Sequence, residues 1–152
     1  MSNDFEITGT DTASSWDQRW MASNEGLALG KTGTLDLNSA GIAGKLNEGG
    51  VINPNGIIPA GVALSYNETT DRYELFDSTG AGDTAYRAVL AGFLLADIDV
   101  TLADNITVQK SKKAPISVLD RGDIKREFLP VVAQRTTLTY LTVSRGQFVF
   151  VN

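Results

Sequence analysis

The chain contains no cysteine and no histidine. Without cysteine there are no disulfides, no thiolate metal sites and no cysteine nucleophile, a composition that fits assembly in a reducing cytoplasm. Without histidine the commonest general base near neutral pH and the commonest metal ligand are both missing. Carboxylates, lysines and hydroxyls remain, so the prior for an enzyme falls without vanishing. Long apolar runs are also scarce. The best, residues 88–96 (AVLAGFLLA), falls well short of the roughly 20 residues a membrane span needs. The opening MSNDFEITGT lacks the basic start and apolar run of a signal peptide.

What is present is 152 residues, 42% of them hydrophobic and 20% charged, which is the make-up of one globular domain with a real core. The net charge of −5 is unevenly spread. Residues 1–109 carry 5 basic and 15 acidic side chains, whereas residues 110–152 carry 8 basic and 3 acidic ones. Solvated faces of opposite sign explain such a split, and so does head-to-tail complementarity between neighbouring subunits. Nucleic acid is disfavoured as a partner: the basic cluster Lys110, Lys112 and Lys113 is small, and the chain as a whole repels phosphate.

Residues 1–50 are rich in glycine, serine, threonine and asparagine, with few large apolar residues between Ser23 and Gly50. Such a stretch buries too little to order itself, and reads as a flexible N-terminal arm preceding a β-rich domain over 51–152. Within the arm, residues 15–22 (SWDQRWMA) have a capping-box pattern at Ser15 and Gln18, and put Trp16 and Trp20 on one helical face. Both tryptophans have two readings: they cover the chain's own core, or they anchor the arm on a partner.

From Val51 the chain becomes a succession of short β-rich segments. Residues 51–52 and 56–63 are short strands broken by Pro54, Pro59 and Gly61. Residues 64–66 and 72–76 are two strands joined by a polar turn, and 77–83 is a loop. Residues 89–98 are apolar enough to be buried, and 106–108 and 116–119 are β-rich. Residues 148–151 (FVFV) form a terminal strand. Residues 131–145 are ambiguous: TLTYLTV favours a strand, yet Pro130 and Gly146 bracket a helix. The expected class is mainly β (α+β), a compact small β domain.

Several motifs imitate functional sites. Residues 26–32 (GLALGKT) are one residue too short between glycines for a phosphate loop. Residues 77–85 (DSTGAGDTA) resemble the signature of ribokinase-type sugar kinases, in which Asp83 would be the base and the following residues a helix. The alternating βαβ units that this family requires are missing before it. Arg121-Gly122-Asp123 reads as a tight turn. Asn67-Glu68-Thr69 and Asn105-Ile106-Thr107 are sequons that carry no meaning without secretion. The pairs Asp97/Asp99 and Asp120/Asp123 are weak cation candidates, better read as solvated loop ends. No catalytic, cofactor or metal site is expected.

From Ile58 onward, over about two-thirds of the chain, ordered blocks resemble the phage head decoration family. Ile58-Pro59-Ala60-Gly61-Val62-Ala63-Leu64 is similar to its opening strand. Arg72-Tyr73-Glu74-Leu75-Phe76-Asp77 is similar to the second strand, and 91–100 (AGFLLADIDV) to the block after it. Arg121-Gly122-Asp123-Ile124, then Phe128-Leu129-Pro130, resemble the segment leading into the family's helix, and Ser144-Arg145-Gly146 with Phe148-Val149-Phe150-Val151 the helix end and last strand. The resemblance implies a β-tulip or barrel-like fold with one C-terminal helix near 130–144. It implies a non-enzymatic homotrimer, made in the host cytoplasm, at threefold positions on the outer capsid surface of the virion. Its partner there is the major capsid protein, with no cofactor, nucleic acid or membrane. The arm residues expected to meet the capsid are Phe5, Ile7, Trp16 and Trp20. Another virion part, a tail or head–tail joining protein, is the alternative, and the sugar-kinase echo a remote one.

Overall fold

The computed structural model describes residues 19–21, 30–37, 39, 42, 51–52, 56–99, 113–139 and 141–151. Among the described residues nine strands dominate: β1 (Lys31–Asp36), β2 (Ile57–Ile58), β3 (Ala63–Asn67), β4 (Arg72–Leu75), β5 (Gly92–Leu94), β6 (Ile98–Asp99), β7 (Lys113–Leu119), β8 (Arg121–Lys125) and β9 (Gln147–Val151). Five of them close into a barrel in the order β1-β4-β3-β5-β7, while β2 with β6 and β8 with β9 form two small two-stranded sheets. The expected small, mainly β domain is what the chain forms.

Strand alternation explains the core. Along β7, Ala114, Ile116 and Val118 are buried while Pro115 and Ser117 are exposed, the period-2 pattern of a strand with one face inward. Leu35, Leu64, Leu94, Ile116 and Val118 meet inside the barrel. The residues beside three of them face the other way. Ala63, Phe93 and Leu119 pack in a second cluster with Trp20, Leu90, Ile124, Leu129 and Leu138. This outer cluster lies under the β8–β9 sheet, whose Phe148 and Phe150 pack against it. Strands β3, β5 and β7 are therefore covered on both faces where they meet, and such strands read as unbroken apolar runs. Gly92 permits that crossing, because a Cβ there would run into the Val118 side chain and lie 2.6 Å from the Leu119 carbonyl oxygen.

Four expectations are corrected. The sequence predicts an arm through residue 50, but Lys31–Asp36 is a full barrel strand. It pairs antiparallel with β7 over six residues, from Lys31 opposite Val118 to Asp36 opposite Lys113, and meets β4 in parallel at Leu35 and Tyr73. Its apolar side chains are few because only one face is inside. The C-terminal helix is confined to α1, Gln134–Thr137. Leu138 leaves the helix with φ −85° and ψ 116°, and its carbonyl accepts a 2.8 Å hydrogen bond from the Arg126 guanidinium. The threonines and valine of 136–143 resist continuation, and among the described residues there neither a long helix nor a strand forms. Arg121-Gly122-Asp123 opens strand β8 rather than a tight turn. Finally, Val51 and Ile52 are buried, but the strand expected there shrinks to a single bridge residue, Ile52.

The β3–β4 hairpin turns as its polar sequence suggests. The Asn67 side chain accepts the Thr69 N–H at 3.0 Å, and Asp71 takes a left-handed conformation with φ 59°, which aspartate tolerates better than most residues.

Candidate functional site

Three of the four expected capsid-contact residues, Phe5, Ile7 and Trp16, lie outside the described residues. The fourth, Trp20, is 0% exposed and stacks on Phe93 at 5.6 Å between ring centroids. Of its two readings, core residue and anchor, the structure supports the core one: a side chain without exposed surface has nothing to offer a partner. The residues around it are pinned to β8. The Lys125 N–H donates to the Trp20 carbonyl at 2.7 Å, Met21 bridges Ile124, and the Arg19 guanidinium lies 5.0 Å above the Phe128 ring. Residues 19–21 are thus fixed against β8 and the turn that follows it. Near the C-terminus, Leu141, Val143 and Val149 are 59–75% exposed.

A polar cleft of about 410 Å³ opens between β1, the β3–β4 hairpin and residues 145–146, lined by Lys31, Gly33, Tyr66, Asp71, Tyr73, Asp120 and Arg145 among others. Gly33 shapes it, since a Cβ at that position would enter the Tyr73 ring. Tyr66 and Tyr73 meet edge to face at 5.1 Å. Lys31 Nζ lies 3.2 Å from Asp120 Oδ2. Arg145 donates to Glu68 Oε2 at 2.9 Å and lies 5.0 Å above the Tyr66 ring. Tyr73 stands at the centre of these charges. Burial raises its hydroxyl pKa, Lys31 and Arg145 pull it down, and Asp120 and Asp71 push it up.

A second polar cluster is closed rather than open. Glu74, 3% exposed, accepts from Asn67 Nδ2 at 2.9 Å, Tyr86 OH at 2.8 Å and Arg87 Nε at 3.2 Å. It fastens the hairpin to the 3-10 helix Gly82–Ala88. Burial and the Glu74 hydrogen bond raise the Tyr86 pKa. This network also occupies the Asn67 amide of the first sequon.

The kinase-like motif lacks its context. After the Gly80-Ala81-Gly82 turn the chain makes only that 3-10 helix, extended again by Val89, and residues 92–94 are barrel strand β5. The helix that would carry the motif is therefore absent. Of the acidic pairs, Asp97 accepts the Ala60 N–H at 2.8 Å and Asp120 pairs with Lys31 and Arg121. Among the described residues no group of three or more acidic side chains is placed to hold a metal ion. Sequence reasoning missed the cleft altogether, because its walls come from five separate stretches and carry no linear signature.

No family model, curated protein or solved structure matches the chain.

Proposed function

We propose that the chain is a non-enzymatic decoration, or cementing, protein that binds the outer surface of an expanded phage head and braces it against internal DNA pressure. The observation that carries this reading is the ordered resemblance from Ile58 onward. Its blocks fall on successive elements of one small domain: β2 and the start of β3, β4, β5 with β6, β8, the Leu129-Pro130 approach to α1, and β9.

The fixing of residues 19–21 against β8 supports the same reading. A leader that starts from a fixed point on a folded knob can pair along an exposed sheet edge of a neighbour while the knob keeps its shape. Phe5, Ile7 and Trp16 are the side chains proposed to dock, with the major capsid protein as partner, and Trp20 is withdrawn from that set. A homotrimer at threefold positions would engage several capsid subunits together, so that modest contacts combine through effective concentration. Binding only the expanded lattice stabilises that state by mass action. None of this needs a cofactor, a nucleic acid or a membrane.

Co-sedimentation with decoration-free heads tests the reading. The protein should pellet with expanded heads and stay in the supernatant with unexpanded ones, and Trp16→Ala should weaken the pelleting. Equal indifference to both kinds of head would refute it.

A further inference from the structure

We infer that the cleft beside Tyr73 is a binding site for a neutral sugar unit of a glycan. This stands apart from the capsid reading, since it uses only the chemistry of the cleft. Its volume of about 410 Å³ suits a small ligand, but hydroxyl-bearing and charged side chains dominate its walls, which disfavours lipids and other apolar molecules.

The charges of the cleft cancel, with Lys31 and Arg145 set against Asp71 and Asp120. Most are already engaged: Lys31 with Asp120, and Arg145 with Glu68 and the Tyr66 ring. A free anion meets a balanced field and must break an existing pair to bind, and a free cation finds a single carboxylate, Asp71, outside those pairs. A ligand with many hydroxyls and no charge meets neither obstacle. To such a ligand, paired ionic side chains are oriented hydrogen-bonding groups, with donors on Lys31 and Arg145 and acceptors on the carboxylates.

The tyrosines complete the match. Neither hydroxyl bonds another described residue, their contacts being through the rings. Each therefore keeps donor and acceptor capacity for a ligand. The rings themselves are partly covered, Tyr66 by the Arg145 guanidinium and Tyr73 by Gly33, so what they offer a ligand is their polar tips.

The test passes the full chain over immobilised oligosaccharides of three kinds: neutral ones built from glucose, galactose and mannose, sialylated ones, and sulfated ones. Retention is expected on at least one neutral oligosaccharide, undisturbed by millimolar glycine or phosphate. The Tyr66→Phe/Tyr73→Phe variant removes both hydroxyls and keeps both rings. It should bind roughly tenfold more weakly, the loss of two modest hydrogen bonds, with an unchanged thermal midpoint. Lys31→Gln, at a side chain 63% exposed, should weaken binding without touching the core. Retention on acidic glycans alone, displacement by glycine or phosphate, full retention by both variants, or no retention at all would each overturn the inference.

Discussion

The buried side chain of Gln134 grips the main chain of Ala63 at both ends. Its Oε1 accepts the Ala63 N–H at 3.0 Å and its Nε2 donates to the Ala63 carbonyl at 3.3 Å. The glutamine thereby ties α1 to the first residue of β3, where the barrel meets the outer core. Gln134→Leu should lower the free energy of unfolding by about 2 kcal/mol, because a buried N–H loses its only side-chain partner. The Ala63 carbonyl suffers less, since it also accepts from the Phe76 N–H. Urea unfolding followed by circular dichroism measures the loss.

Trp20 makes a second prediction. It is fully buried, and Trp20→Ala should cost about 3–5 kcal/mol, as large-to-small changes at buried aromatic sites do. Trp20→Phe should cost less. Besides keeping an aromatic ring against Phe93, it removes an indole N–H that has no hydrogen-bond partner among the described residues. Denaturant midpoints of the two variants against the parent check the order.

Glu74 and Arg87 form a partly buried ion pair, with side chains 5% and 23% exposed. Removing the carboxylate alone leaves the guanidinium and the Tyr86 hydroxyl without their acceptor, so Glu74→Ala should cost about 3 kcal/mol. Replacing both partners by Glu74→Leu and Arg87→Met should recover much of that loss. A double-mutant cycle in urea measures the coupling.

Asp77 supplies a pH-dependent prediction. Its Oδ1 accepts from the Thr79 hydroxyl at 2.6 Å and the Thr79 N–H at 2.9 Å, and these bonds hold its pKa below the ordinary aspartate value, with Arg87 adding to the effect. Because the folded value is depressed, the contribution to stability is complete above about pH 4 and is lost as pH falls through the folded value. The group is exposed, so its worth is under about 1 kcal/mol. In a carbon-detected NMR titration, Thr79→Ala should move the Asp77 midpoint upward.

The sequence was readable where a residue's local pattern agreed with its surroundings. The hairpin over 64–76 and the strands at 116–119 and 148–151 carry alternation or turn chemistry that needs no distant partner, and they formed. Residues 31–36 were hidden because threonine and glycine fill half of the strand, and its inward leucine gains meaning only beside β7. The segment after Pro130 was misjudged in extent, since Arg126 holds the Leu138 carbonyl from outside the helix. Trp20 was legible as a residue needing burial, but its Phe93 partner lies far along the chain. The cleft around Tyr73 depends on the barrel bringing β1, the hairpin and Arg145 together, which no window of sequence contains.

Cryo-electron microscopy of expanded, decoration-free heads incubated with the protein tests the capsid reading most directly. The account predicts added knobs of this barrel's size on the outer surface at threefold positions, with continuous density running from each knob's Trp20 region to the major capsid protein. Bare heads, or added density confined to the neck or tail as rings or tubes, would contradict it.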